Sequence, residues 1–134
     1  MRVMLDTNIL LSAGLFDKSK LSTLTVRISN EFKIVLSSQI VEELRMVTAR
    51  KFPGKKKTLE NFLRRLNFEM AFTPNEIDPD IYPKIRDKKD YPILASAIIA
   101  EVDIFITGDK DFSVLDLDNP EIMTIMKFAD KYLE

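Results

Sequence analysis

The chain has 134 residues, with 20 basic side chains against 21 acidic ones, and contains neither cysteine nor histidine. Disulfides, thiolate or imidazole metal sites and every mechanism with a histidine base are thereby excluded. If the protein is an enzyme, carboxylates must do most of the work, and hard oxygen donors suit magnesium or manganese.

A hydrophobic fraction of 46% beside 31% charged residues is ordinary for a folded chain, so residues 1–134 are expected to form a single domain. The apolar run after Met1 is too short for a signal peptide, and no stretch is long enough to span a bilayer. A cytoplasmic protein without membrane contact is the expectation.

In chain order, Arg2–Asp6 reads as a short buried strand around Val3, Met4 and Leu5. Leu21, Leu24, Val26 and Ile28 mark a helix. Lys33–Leu36 is a second strand ending at Ser37 and Ser38, and a helix runs from Gln39 to about Arg50. Leu59, Phe62, Leu63 and Leu66 share one face of a helix over Thr58–Leu66. Phe68–Phe72 alternates as a third strand, stopped by Thr73-Pro74-Asn75. Pro92–Val102 is apolar on nearly every side, as in a helix packed deep against a sheet. Asp103–Thr107 is a fourth strand closed by Gly108, and Ile122–Ile125 a weaker fifth. Strands alternating with helices imply an α/β fold with a mostly parallel sheet covered on both faces.

The functional crevice of such a sheet lies beyond the carboxyl ends of its strands. Four acids collect there. Asp6 directly follows three apolar residues, where a carboxylate is costly unless paired or bound to a cation; its structural alternative is capping the next turn. Glu43 borders the buried face set by Ile40, Val41, Leu44 and Val47, whereas Glu42 is expected to point away into water. Asp90 precedes Tyr91-Pro92 and could simply cap a helix. Asp109 could be a turn residue, with Asp111 a second acid close by. Together these acids would repel one another without a cation, so a Mg2+ or Mn2+ site is the economical reading, with metal-assisted hydrolysis its natural chemistry.

Charge is unevenly placed. Between Arg45 and Arg65 lie eight basic residues and one acid, Glu60. Arg45, Arg50, Lys51, Lys55, Lys56 and Lys57 are candidates to hold a polyanion such as RNA, although a solvated helical face would read the same.

Met4-Leu5-Asp6-Thr7-Asn8-Ile9-Leu10 resembles the opening motif of PIN-domain ribonucleases. Ser37-Ser38 followed by Glu43-Leu44 resembles their second acidic motif. Asp90 with Leu94, Ala95 and Ala97 is similar to the third, and Ile106-Thr107-Gly108-Asp109-Lys110-Asp111-Phe112 to the fourth. The resemblance implies a three-layer α/β/α sandwich with a five-stranded parallel sheet, often dimeric. It also implies Mg2+- or Mn2+-dependent endonucleolytic cleavage of single-stranded RNA. Many small members are toxins of toxin–antitoxin pairs, of the VapC kind, held inactive by a cognate antitoxin. The Thr-Gly-Asp form of the last motif looks nearer to a branch of predicted toxins than to typical VapC proteins. By resemblance Asp6, Glu43, Asp90 and Asp109 bind metal, Asp111 is an additional or substitute ligand, and Asn8 and Thr107 are supporting polar groups.

Other readings compete. A phosphatase of the haloacid-dehalogenase type also begins with an aspartate after its first strand but needs a second two residues on, where this chain has Asn8. A response-regulator receiver would show paired acids at the first strand and an aspartate ending the central one. A non-catalytic module binding RNA or protein is the third alternative.

Overall fold

The computed structural model describes residues 1–16, 19–73, 91–115, 117 and 119–133. Strands β1 (Arg2–Leu5), β2 (Lys33–Ser37), β3 (Glu69–Ala71), β4 (Ile104–Ile106) and β5 (Glu121–Met123) pair in parallel, in the order β3-β2-β1-β4-β5. Around them lie α1 (Thr7–Leu15), α2 (Lys20–Glu31), α3 (Ser38–Lys51), α4 (Lys56–Arg65), α5 (Tyr91–Ile99), α6 (Lys110–Ser113) and α7 (Ile125–Tyr132), with a 3-10 turn at Pro53–Lys55. This is the expected α/β architecture with a five-stranded parallel sheet.

Parallel crossovers are right-handed. The steps from β1 to β2 to β3 therefore lay α1–α4 over one face of the sheet, where α1 packs against α2, α3 and α4. The chain then returns past β1 to β4 and β5, which carries α5 and α6 to the other face. The direction of winding thus reverses between β1 and β4. Loops leaving their carboxyl ends diverge there and open a crevice.

Burial follows strand position. Val3, Met4 and Leu5 of central β1 are wholly buried, as are the neighbouring Ile34, Val35 and Leu36, because both faces of these strands are covered. Edge strand β3 leaves Glu69 and Met70 exposed. At the amino-terminal edge of the sheet, Arg2 ties three elements together. Its guanidinium donates to both Glu69 carboxylate oxygens at 2.8 and 3.2 Å and to the Ala100 carbonyl at 3.2 Å. Its backbone N–H donates to Asp103 at 2.7 Å.

Two local expectations need correction, and helix α1 was not foreseen. The fifth strand ends at Met123, because the Thr124 hydroxyl accepts the Lys127 N–H and starts α7, so Ile125 is helical rather than extended. Helix α1 carried no clear periodicity, since Ile9, Leu10, Leu11, Ala13 and Leu15 leave little polar face to define one. The helix expected over Pro92–Val102 stops at Ile99. Glu101 takes a left-handed φ of 55°, and the Glu101 and Val102 N–H groups donate back to the Ile98 and Ala97 carbonyls, both at 3.1 Å. That is a Schellman closure, with buried Val102 as its apolar contact.

Gly14 sets how closely α1 approaches α4. A Cβ placed there would lie 2.8 Å from Cδ2 of Phe62, and Phe62 is fully buried and has nowhere to move. Gly14→Ala should therefore destabilise the fold by about 1–3 kcal/mol despite the better helix propensity of alanine. Gly54, whose added Cβ would meet nothing within 4 Å, is the matched control. Its change to alanine should stay within about 1 kcal/mol, read from urea unfolding of both variants.

Candidate active site

The crevice at the winding reversal is a cleft of about 590 Å³, and Asp6, Glu43 and Asp109 all line it. Asp6 follows β1 directly. Its backbone N–H extends the ladder to the Ile106 carbonyl at 3.1 Å, which sets it beside Thr107 at the end of β4. Asp6 is only 7% exposed, and both its carboxylate oxygens are engaged. Oδ1 accepts the Ile9 N–H at 3.0 Å, so Asp6 is the N-cap of α1, and Oδ2 accepts the Thr107 hydroxyl. The capping and functional readings of Asp6 are thus compatible, since each carboxylate oxygen keeps a further lone pair.

Burial pushes the Asp6 carboxyl above its ordinary value. The Thr107 hydroxyl and the Ile9 N–H oppose that shift, the nearby negative charge of Asp109 adds to it, and the Gly108 N–H again opposes it.

Thr107 serves two acids. Its oxygen donates to Asp6 and accepts the Asp109 N–H at 3.0 Å, which fixes the turn that brings Asp109 to the cleft. Asp109 in turn caps α6, accepting the Asp111 N–H at 2.9 Å. Asp111 lies on α6 and is not among the residues lining the cleft. Glu43 comes from across the cleft on α3, whose N-cap is the buried Ser37, accepting the Ile40 N–H at 3.1 Å. The buried Thr7 hydroxyl donates to Glu43 Oε2 at 3.2 Å and holds it toward Asp6. Thr7 carried no separate signal in the sequence beyond following Asp6. Asn8 is exposed and lines the cleft.

Asp90 lies outside the described residues. Helix α5, which starts immediately after it, presents Pro92 and Ile93 to the cleft. Among the described residues no three acids stand close enough to form a complete metal cage. The donors nonetheless fit a hard divalent cation: carboxylates only, one of them buried, in a chain without cysteine or histidine.

The geometry of α3 differs from the expectation for Glu42, which also lines the cleft although it is exposed. With roughly 100° per residue, the cleft-lining residues of α3 centre about 145° from the core face of Ile40, Val41, Leu44 and Thr48. The cleft runs along the side of the helix turned away from that core face, and Glu42 falls at its rim.

The basic segment divides. Arg45 makes a bidentate ion pair with Glu60 at 2.8 and 3.2 Å. Lys55 donates to the Leu15 carbonyl at the end of α1 at 2.8 Å and sits 4.7 Å over the Phe16 ring. Both tie elements together. Lys51, Lys56 and Lys57 are exposed, and only Arg50 of the six candidates lines the cleft.

Comparison with known proteins agrees with this construction. Residues 2–111 match the PIN domain family. The chain belongs to the PIN-domain family. No protein of curated function matches it. A chain of VapBC2 from Rickettsia felis, solved bound to a DNA fragment from their promoter, superposes with a TM-score of 0.70 at 20% identity, over 92% of this chain and 98% of that one. A domain of a functionally unknown protein from Methanocaldococcus jannaschii superposes with a TM-score of 0.54 at 16% identity, over 92% and 89%. At such identities the likeness is one of fold. Among the described residues of this PIN domain, no helix is long and apolar enough to cross a membrane.

The raised Asp6 carboxyl has a sign that can be measured. Because the folded state holds this proton more tightly than the unfolded chain, the buried charge lowers stability above the folded pKa. That loss fades as pH falls toward the ordinary value of 3.8. In EDTA, Asp6→Asn, which keeps a good N-cap, should melt higher than the parent at neutral pH. The two should converge on acidification. A lower melting point for the variant at neutral pH would contradict the burial argument.

Proposed function

We propose that this PIN domain is a Mg2+- or Mn2+-dependent endoribonuclease acting on single-stranded RNA in the cytoplasm. The observation that carries the reading is the convergence of Asp6, Glu43 and Asp109 on one cleft, with Asp6 buried. Asp6, Glu43 and Asp109, together with Asp90, would hold the ion. When bound, it supplies acidification of water and neutralisation of charge on the phosphodiester and leaving oxygen.

The chain's own groups do the positioning. The N-terminus of α1 and the Thr107 hydroxyl fix both oxygens of Asp6. Thr7 turns Glu43 inward, and Thr107 anchors the turn bearing Asp109. Family membership favours this reading over the receiver-like and phosphatase-like ones.

A toxin role, with a cognate antitoxin as partner and a homodimer as the active form, is the corresponding biological proposal. Its support is the likeness of fold to a chain of VapBC2.

The test is incubation with single-stranded RNA across a Mg2+ and Mn2+ titration. Cleavage should stop with EDTA and leave 5′-phosphate and 3′-hydroxyl ends, because water rather than the 2′-hydroxyl attacks. EDTA-resistant cleavage or 2′,3′-cyclic phosphate ends would overturn the mechanism, and no cleavage at all would leave a non-catalytic binding module. Glu43→Gln should reduce cleavage by at least about a hundredfold, whereas Glu42→Gln at the rim should change it only about threefold or less. Equal losses in folded samples would mean that Glu42 shares the ligand role.

A further inference from the structure

The cleft is larger than a phosphate and a cation require, and its far end is built differently from its acidic end. Along α3, Gln39, Glu43, Met46 and Arg50 recur every three or four residues. At roughly 100° per residue they fall within about 60° of one another, a single stripe along the cleft. Val47 borders that stripe, and Phe112 and Ile93 add apolar surface from the other face of the sheet.

Two members of the stripe are unusual. Met46 is 59% exposed, an apolar side chain left in water beside a polar site. Arg50 forms no ion pair among the described residues, whereas Arg45 is held by Glu60 and Lys55 by the end of α1. Seven residues of helix separate Arg50 from Glu43, about 10 Å along the axis. Arg50 therefore stands too far from the acids to touch the phosphate being cut, and at a distance suited to a neighbouring one.

We infer that Met46, Val47 and Arg50 form a nucleotide subsite beside the acids, with the apolar pair receiving an unstacked base and Arg50 the adjoining phosphate. This inference rests on the nuclease reading of the acidic end. Phosphate contacts alone call for no apolar surface, while a base splayed out of its stack needs one. A duplex keeps its bases stacked, so this subsite selects single strands. The mundane role for Arg50 is to favour the negative end of the α3 dipole. Lys51 sits at the same helix end but outside the cleft, and so separates the two roles.

Steady-state cleavage of a short single-stranded RNA oligomer tests this. Arg50→Gln should raise KM about tenfold with kcat within about threefold, the pattern of lost uniform binding. The log–log salt dependence of RNA binding should flatten by about 0.7. Arg50→Lys should recover most of the loss, and Lys51→Gln should match the parent. Replacing the base next to the cut by an abasic site should raise KM for the parent but not for Met46→Ala. Thermal melting checks that each variant is folded.

If the parent cleaves but Arg50→Gln behaves like Lys51→Gln, or the parent ignores the abasic site, the subsite is overturned and the nuclease reading stands; this wall is then a surface for a protein partner. If the parent does not cleave, fluorescence anisotropy of the same oligomer decides the subsite alone. Equal affinities for the parent, Arg50→Gln and the abasic oligomer would overturn it.

Discussion

A carboxylate must be accommodated at the carboxyl end of the central strand, and much of the site's geometry follows from that constraint. Asp6 cannot move into solvent, because Val3, Met4 and Leu5 anchor β1 between two helical layers. Its charge is instead met by oriented dipoles: the N-terminus of α1 on one oxygen and the Thr107 hydroxyl on the other. These partners stand at opposite ends of the sequence, joined only because β1 and β4 are neighbours in the sheet. The same strand order that opens the crevice supplies the groups that hold the acid within it.

Helix α3 shows how one element serves both the core and the cleft without conflict. Ile40, Val41, Leu44 and Thr48 face the core, while the adjoining flank carries Glu43 to the cleft. Packing of the first fixes the rotation of the second, so the position of Glu43 is set by apolar contacts well away from it. Thr7 completes the arrangement by linking that flank to α1 with a single hydroxyl. The acidic end of the cleft is therefore held by elements that also form the core.

Much of this was legible in the sequence, for identifiable reasons. Unbroken apolar runs flanked by polar punctuation disclosed β1, β2 and β4, because strands covered on both faces need no alternation. Helices with a solvated face, such as α3 and α4, disclosed themselves by period. Helix α1 did not, since Ile9 and Leu11 put apolar residues on its partly exposed side too and so erase the period, and α7 was obscured where Thr124 turns an apolar run from strand to helix. Asp6 was conspicuous because an acid after three apolar residues is expensive. Thr7 and Met46 were not, because a buried hydroxyl and an exposed methionine acquire meaning only from what stands opposite them. Charge counting treated the basic segment as one object, whereas folding assigns Arg45 and Lys55 to internal ties and leaves Arg50 in the cleft.

The two edges of the sheet have different occupations. At the amino-terminal edge Arg2 fastens β1 to β3 and to the approach to β4 through side-chain and backbone contacts, none of which reaches the cleft. At the carboxyl-terminal edge Asp6, Glu43 and Asp109 line one cleft, each held by a hydrogen bond from the surrounding elements. The fastening and the cleft are thus segregated along the length of the strands, about four residues apart between Arg2 and Asp6. Such a molecule can drift in the loops around its cleft without loosening its scaffold, and can be stiffened at Arg2 without touching the acids of the cleft.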